Sequence, residues 1–288
     1  MDDRSLEALG LAQAPREHPL RYPGSWPARS GLLDGNRMMP LERLTHPDRT
    51  PVLCVGSNAC PAQLRHKMAE SGIASPVPMV KARVTGVEIG VSAHVSLAGY
   101  VSSSPVRAPG VVRELFVLWL DERQLGVIDD SEGVCSPTGN YERRTLPSPD
   151  VRVLLENGET VPEVSAYVNR HGVLHDGSGA PLTYPGQRAL LGELLEGSAQ
   201  LRGLFGTTPE EFSARARADR ELCARGTRVF AEEGLVTASG LERYGPARRP
   251  PATGPSGPGP LTPPKPSGPP GAASRTLRGR PGPGRSAR

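Results

Sequence analysis

The chain has 288 residues, 36% hydrophobic and 22% charged, with four cysteines, 34 glycines and 32 prolines. Its pI of 9.0 belongs to one end: residues 246–288 hold eight of the 34 basic residues and no acid, which leaves 26 basic against 30 acidic residues in the rest. A nucleic-acid-binding body is therefore not expected, and four scattered cysteines exclude a disulfide framework.

The N-terminus opens Met-Asp-Asp-Arg without an apolar stretch, so no secretory leader is expected. No apolar run approaches the ~20 residues of a membrane span. These features together predict a protein of a reducing cytoplasm, with no membrane contact.

In chain order, residues 1–48 are rich in Pro, Gly and Arg and read as an irregular arm, with a short helix near 4–12. Val52-Leu53-Cys54-Val55 is an apolar run that suits a buried strand. It stops at Gly56-Ser57-Asn58, and Pro61 then opens a helix. Gly56 permits a tight turn and the close approach of a ligand. Free N–H groups at such a turn favour an anion or a polarised carbonyl.

Val80 to Val95 reads as one or two strands, Ser102-Ser103-Ser104-Pro105 as a loop, and Leu115 to Leu120 as a central strand. Asp121 caps a short helix at 122–130, with Gln124 at N3. Val151–Leu155 and Glu163–Val168 flank Asn157-Gly158, a hairpin signal. Leu190, Leu191, Leu194 and Leu195 mark a helix near 186–197, and Thr208-Pro209-Glu210-Glu211 opens another over 209–234, interrupted at Gly226. Beyond Gly245 stand 13 of the 32 prolines and few apolar residues, the composition of a disordered tail. The body, 49–244, is expected to be one α+β domain with a β-rich sheet or barrel and a few helices, and the tail spans 245–288.

The residues that can do chemistry lie in two places. One is the Val55-Gly56-Ser57-Asn58 loop. The other is Ile128-Asp129-Asp130-Ser131-Glu132-Gly133, where a helix delivers Glu132 to a corner and Gly133 suits a left-handed cap. Like charges close together raise a carboxylate pKa, which suits a general base. Three rivals are weaker. His171 and His175 have i,i+4 spacing but lie among glycines, so a solvated loop is expected rather than a metal site. Cys54 and Cys60 have only His66 nearby in sequence as a base. Ser57 lacks the surrounding Gly-x-Ser-x-Gly of a nucleophile elbow.

Taken as an ordered set, Gly56-Ser57-Asn58, Asp129-x-x-Glu132-Gly133, Tyr141-Glu142-Arg143 and Tyr167 resemble the γ-glutamylcyclotransferase-like family over roughly 51–200. That family carries Tyr-Gly-Ser-Asn where this chain has Val55-Gly56-Ser57-Asn58. The resemblance implies a small, mostly antiparallel β-barrel with flanking helices. It implies cyclisation of a γ-glutamyl amide to 5-oxoproline with release of an amine or amino acid, and no metal or cofactor. It assigns Glu132 as the base, and Val55, Gly56, Ser57, Asn58 and Tyr141 as substrate-binding residues. The alternative is a non-catalytic small-molecule binder or interaction module on the same fold. A tail-driven nucleic-acid contact is the remaining rival, and no oligomeric state is assigned.

Overall fold

The structure, a computed structural model, describes residues 3–247. In chain order the strands and helices are β1 (Gly31–Asp34), β2 (Arg37–Pro40), β3 (Thr50–Cys54), α1 (Pro61–Glu70), β4 (Val77–Val95), β5 (Val101–Leu120), α2 (Glu122–Glu132), β6 (Tyr141–Pro147), β7 (Arg152–Leu155), β8 (Thr160–Val161), β9 (Glu163–Asn169), β10 (Val173–Leu174), α3 (Gln187–Gly197), α4 (Ala199–Phe205), α5 (Pro209–Ala218), α6 (Arg220–Glu232) and β11 (Val236–Thr237). A mixed, mostly antiparallel sheet with six α-helices results.

The spine is the antiparallel ribbon of β4 and β5, whose register runs from Met79↔Leu118 to Val95↔Val101. β3 adds beside β5, β9 joins β3 in parallel, and β6 closes that side. The sheet does not close into the expected barrel. Its path ends at β6 on one side and β11 on the other. The reason lies in β4, whose second edge is taken in succession by β1, β7 and β10. Three short partners cover that edge against aggregation, and none of them pairs with β6.

Burial on both faces explains the continuous apolar run of β3. Leu53 and Val55 belong to one cluster with Val80, Leu115, Val117, Trp119 and Val164. Val52 and Cys54 belong to another, with Phe116 and Leu118, Leu64 of α1, and Leu125 and Ile128 of α2. A third cluster packs Val91, Val95 and Val101 against Leu190, Phe205, Phe212 and Phe230 of the C-terminal helices.

Four local expectations are corrected. Residues 1–48 are not simply an irregular arm: β1 and β2 form a hairpin paired to β4, and residues 6–10 form turns rather than a helix. Ser102 to Pro105 lie inside β5, because their hydroxyls or backbone find partners across the ribbon. Asn157-Gly158 joins β7 to β8, while β9 pairs with β6 and β3. The 209–234 helix breaks at Asp219, not Gly226. The Asp219 side chain accepts from the N–H groups of Glu221 and Leu222 and so starts a new helix. Gly226 sits inside α6 because a Cβ there would come within 2.5 Å of the Phe205 ring.

Residues 245–247, counted in the tail, pair with β6: Thr145 N–H donates to the Gly245 carbonyl (3.2 Å) and Ala247 N–H to that of Arg143 (2.8 Å). The rest of the expected tail lies outside the described residues. No helix among the described residues is long and apolar enough to cross a membrane.

Candidate active site

β3 ends at Cys54, and the chain turns through Gly56 into a single 3-10 turn, Ser57–Ala59, before α1. The backbone N–H groups of Gly56, Ser57 and Asn58 enter no backbone hydrogen bond among the described residues. Gly56 is required by close approach. A Cβ there would collide with the Tyr22 phenol oxygen and stand 2.6 Å from Ser103 Oγ.

Glu132 is the last residue of α2. Asp121 and Gln124 form the expected capping box at the start of this helix. Gly133 ends it in the left-handed region at φ 73°, as anticipated. Gly139 packs directly on the Gly133 backbone, with no room for a side chain. Glu132 is thus held at a corner whose backbone is fixed from both sides.

The loop and the carboxylate meet. Asn58 Nδ2 donates to Glu132 Oε1 at 3.1 Å. Lys67, two turns into α1, donates to the same oxygen at 2.9 Å and to Asn58 Oδ1 at 2.8 Å. These three side chains form a closed polar ring. Glu132 Oε2 takes no hydrogen bond from the described residues and is not sealed away. Val55, Gly56, Ser57, Asn58, Glu132 and Tyr141 all line one cavity of about 610 Å³. Its walls are polar, as befits a small charged ligand rather than an apolar one.

The expected crowding of three acids does not occur. Asp129 turns inward and makes a two-pronged pair with buried Arg143 (2.9 and 3.2 Å), and it accepts a third bond from Tyr167 Oη at 2.8 Å. Asp130 is exposed. The Arg143 of the Tyr-x-Arg motif therefore neutralises Asp129 and leaves Glu132 to Lys67. Burial, then the Asp129 charge, holds the Tyr167 phenol well above its ordinary range.

Tyr141 lines the cavity, and its oxygen meets Ser102 Oγ at 2.8 Å and Ser92 Oγ at 3.0 Å. Three residues that the sequence did not single out complete the site. Tyr22 reaches in from the N-terminal segment. Its oxygen accepts from the Ser103 N–H (3.0 Å) and meets Ser103 Oγ (2.9 Å), and that hydroxyl donates to the Val55 carbonyl (2.9 Å). Burial pushes the Tyr22 phenol up to about 12, so it stays neutral. A phenol therefore stands beside Val55 and Gly56, delivered from another part of the chain. Lys67 had one legible signal, its i,i+4 relation to Gln63 on a helix that follows the loop; both line the cavity. His94, the third, has its ring T-shaped to Tyr141, centroids 5.4 Å apart.

Burial raises the thiols of Cys54 and Cys60, so neither is a ready thiolate. His66 lies 3.3 Å from Glu17. His171 Nε2 faces Asn140 Oδ1 at 3.1 Å, whereas His175 Nε2 faces the Gly234 carbonyl at 2.7 Å, so the two histidines do not share a ligand.

No family model matches the chain, and no curated protein matches it. Among solved structures, the chain is similar to the uncharacterized protein loc79017 from Homo sapiens, at 16% identity over 41% of this chain and 65% of that one, with a TM-score of 0.28. It is also similar to a protein described as gamma-glutamyl cyclotransferase, at 12% identity over 62% of this chain and 98% of that one, with a TM-score of 0.31. The chain thus spans about two thirds of the human protein's length. Likenesses this distant carry no argument about chemistry, which has to come from the site itself.

Proposed function

We propose that this protein cyclises a γ-glutamyl amide to 5-oxoproline, releasing the amine half. The observation that carries the reading is the meeting of Glu132 with the Gly56–Asn58 turn in one polar cavity, through Asn58 at 3.1 Å. The substrate's α-ammonium gives a proton to the free oxygen of Glu132. The resulting amine attacks the side-chain carbonyl, and the C–N bond of the new ring forms. The carbonyl oxygen becomes an oxyanion, which the backbone N–H groups of the turn stabilise. Glu132 returns the proton to the departing nitrogen as the tetrahedral intermediate breaks its bond to it, and the ring nitrogen gives up its second proton to the released amine, which leaves as an ammonium ion. Because nucleophile and electrophile belong to one molecule, folding the substrate into its reactive shape provides much of the ~7–11 kcal/mol available from proximity. The chemistry asks for one carboxylate and one donor-rich turn, and needs no metal or cofactor.

Purified wild-type protein offered a panel of γ-glutamyl amides should release 5-oxoproline, measured chromatographically. Glu132→Gln should lower the rate by at least about 10²–10⁴, the usual worth of a general base. Full activity in that variant would sink the assignment. One contact favours a second reading, a binding protein without turnover. Lys67 already holds Oε1 of Glu132, in the manner a substrate ammonium would. On that reading the wild type binds γ-glutamyl amides and releases no 5-oxoproline.

A further inference from the structure

We propose that His94 selects the amine half of the ligand, its Nε2–H donating to an acceptor oxygen that this half carries. The inference rests on the γ-glutamyl reading above and assigns a residue that reading does not use.

His94 lies on β4, is only 3% exposed, and still lines the cavity. Its tautomer follows from its neighbours. The His171 backbone N–H donates to Asn169 Oδ1 at 2.9 Å, which fixes the orientation of that amide. The Asn169 NH2 group therefore faces His94 Nδ1, at 2.8 Å. An amide NH2 can only donate, so Nδ1 must be the bare acceptor nitrogen and the proton sits on Nε2. Nε2 has no partner among the described residues and is not sealed from solvent. In a residue so deeply buried, the opening is the cavity.

Burial, then the neighbouring His171, pulls the ring down to about 3, so at neutral pH it is an uncharged, single-donor group of fixed orientation. The ring of His94 meets Asn169, Tyr141 and His171, whereas Asn58, Lys67 and Glu132 bond to one another. His94 thus lines the cavity outside the polar ring that holds the carboxylate. A glutamyl group anchored by its amine at Glu132 and its carbonyl at the turn sends its departing half away from Glu132. An amino-acid amide offers a carboxylate oxygen there; a simple alkylamide offers none.

The test uses a matched pair, γ-glutamylalanine and γ-glutamylethylamide, which differ in that carboxylate. It also uses two variants that divide the two nitrogens of the imidazole. His94→Asn keeps an acceptor for Asn169 and loses the donor in the cavity. His94→Gln places an N–H near the Nε2 position and loses the acceptor. KM is measured for both compounds; where the wild type shows no turnover, Kd is measured by calorimetry instead. The separate 5-oxoproline assay of the wild type then reports whether the γ-glutamyl reading itself has failed. We expect His94→Asn to raise KM or Kd for γ-glutamylalanine about tenfold, the size of a hydrogen bond to a charged group. The ethylamide value should stay within about twofold, which also shows that the variant is folded. His94→Gln should keep most of the preference. Equal losses for both compounds, a greater loss in His94→Gln than in His94→Asn, or a wild type that binds neither compound overturns the proposal.

Discussion

Single residues in this site are assigned by their partners. Asp129 and Glu132 are three positions apart on one helix and have different work: one is buried against Arg143 and Tyr167, the other shares an oxygen with Lys67 at the cavity wall. His94 adds a measurable signature. Its folded pKa of about 3 lies below the 6.5 of an unconstrained histidine. Between those values the unfolded chain binds a proton that the folded chain refuses. Stability contributed by the neutral ring is therefore complete above about pH 6.5 and is lost as pH falls toward 3. The groups facing the ring are His171, stacked at 6.0 Å, Tyr141 and the amide of Asn169. Going from pH 7 to pH 5 should cost the wild type about 2 kcal/mol through this ring alone. Urea unfolding at both pH values should show a loss smaller by about that amount in His94→Gln. Equal losses in the two chains would show that the ring titrates normally.

At the scale of elements, what was legible is what is locally encoded. The start of α2 could be read from Asp121 and Gln124 and its end from Gly133, because a cap is settled within four residues. The break between α5 and α6 was misplaced because Gly226 answers to Phe205, a tertiary neighbour, while the true signal was Asp219. Ser102 to Pro105 read as a loop because nothing local shows that Tyr141 will engage the Ser102 hydroxyl and Tyr22 the Ser103 backbone. The join between the β3 turn and β5 is open to a direct test. Gly56→Ala drives a methyl group into the Tyr22 oxygen and Ser103 Oγ, and should cost about 1–3 kcal/mol. In a Tyr22→Phe background the same change should cost less, by about 0.5 kcal/mol or more, in a double-mutant cycle read by urea unfolding. Strict additivity would mean that the two elements do not press on each other.

For the molecule as a whole, the motif-bearing residues Gly56, Asn58 and Glu132 were readable, and the residues that complete the site were not. Lys67 contacts Glu132 across 65 positions, His94 meets Asn169 across 75, and Tyr22 meets Ser103 across 81. No local pattern announces such pairs. The barrel expectation failed at this same scale, since whether a sheet closes depends on which strands claim the edge of β4. The N-terminal segment belongs to the core: Leu6, Leu11 and Tyr22 are buried. Removing residues 1–24 should cost about 5 kcal/mol or more from these three side chains and lower Tm by more than about 10 °C by circular dichroism. An unchanged Tm would place the segment outside the cooperative unit. The bond between Tyr22 and Ser103 also sets a timetable. Tyr22 leaves the ribosome 81 residues ahead of the strand that receives it. At ~5–20 residues per second that is a wait of roughly 4–16 s. Throughout it the Tyr22 phenol lacks the Ser103 that will receive it, while Leu6 and Leu11 can already pack on Leu33 and Met38.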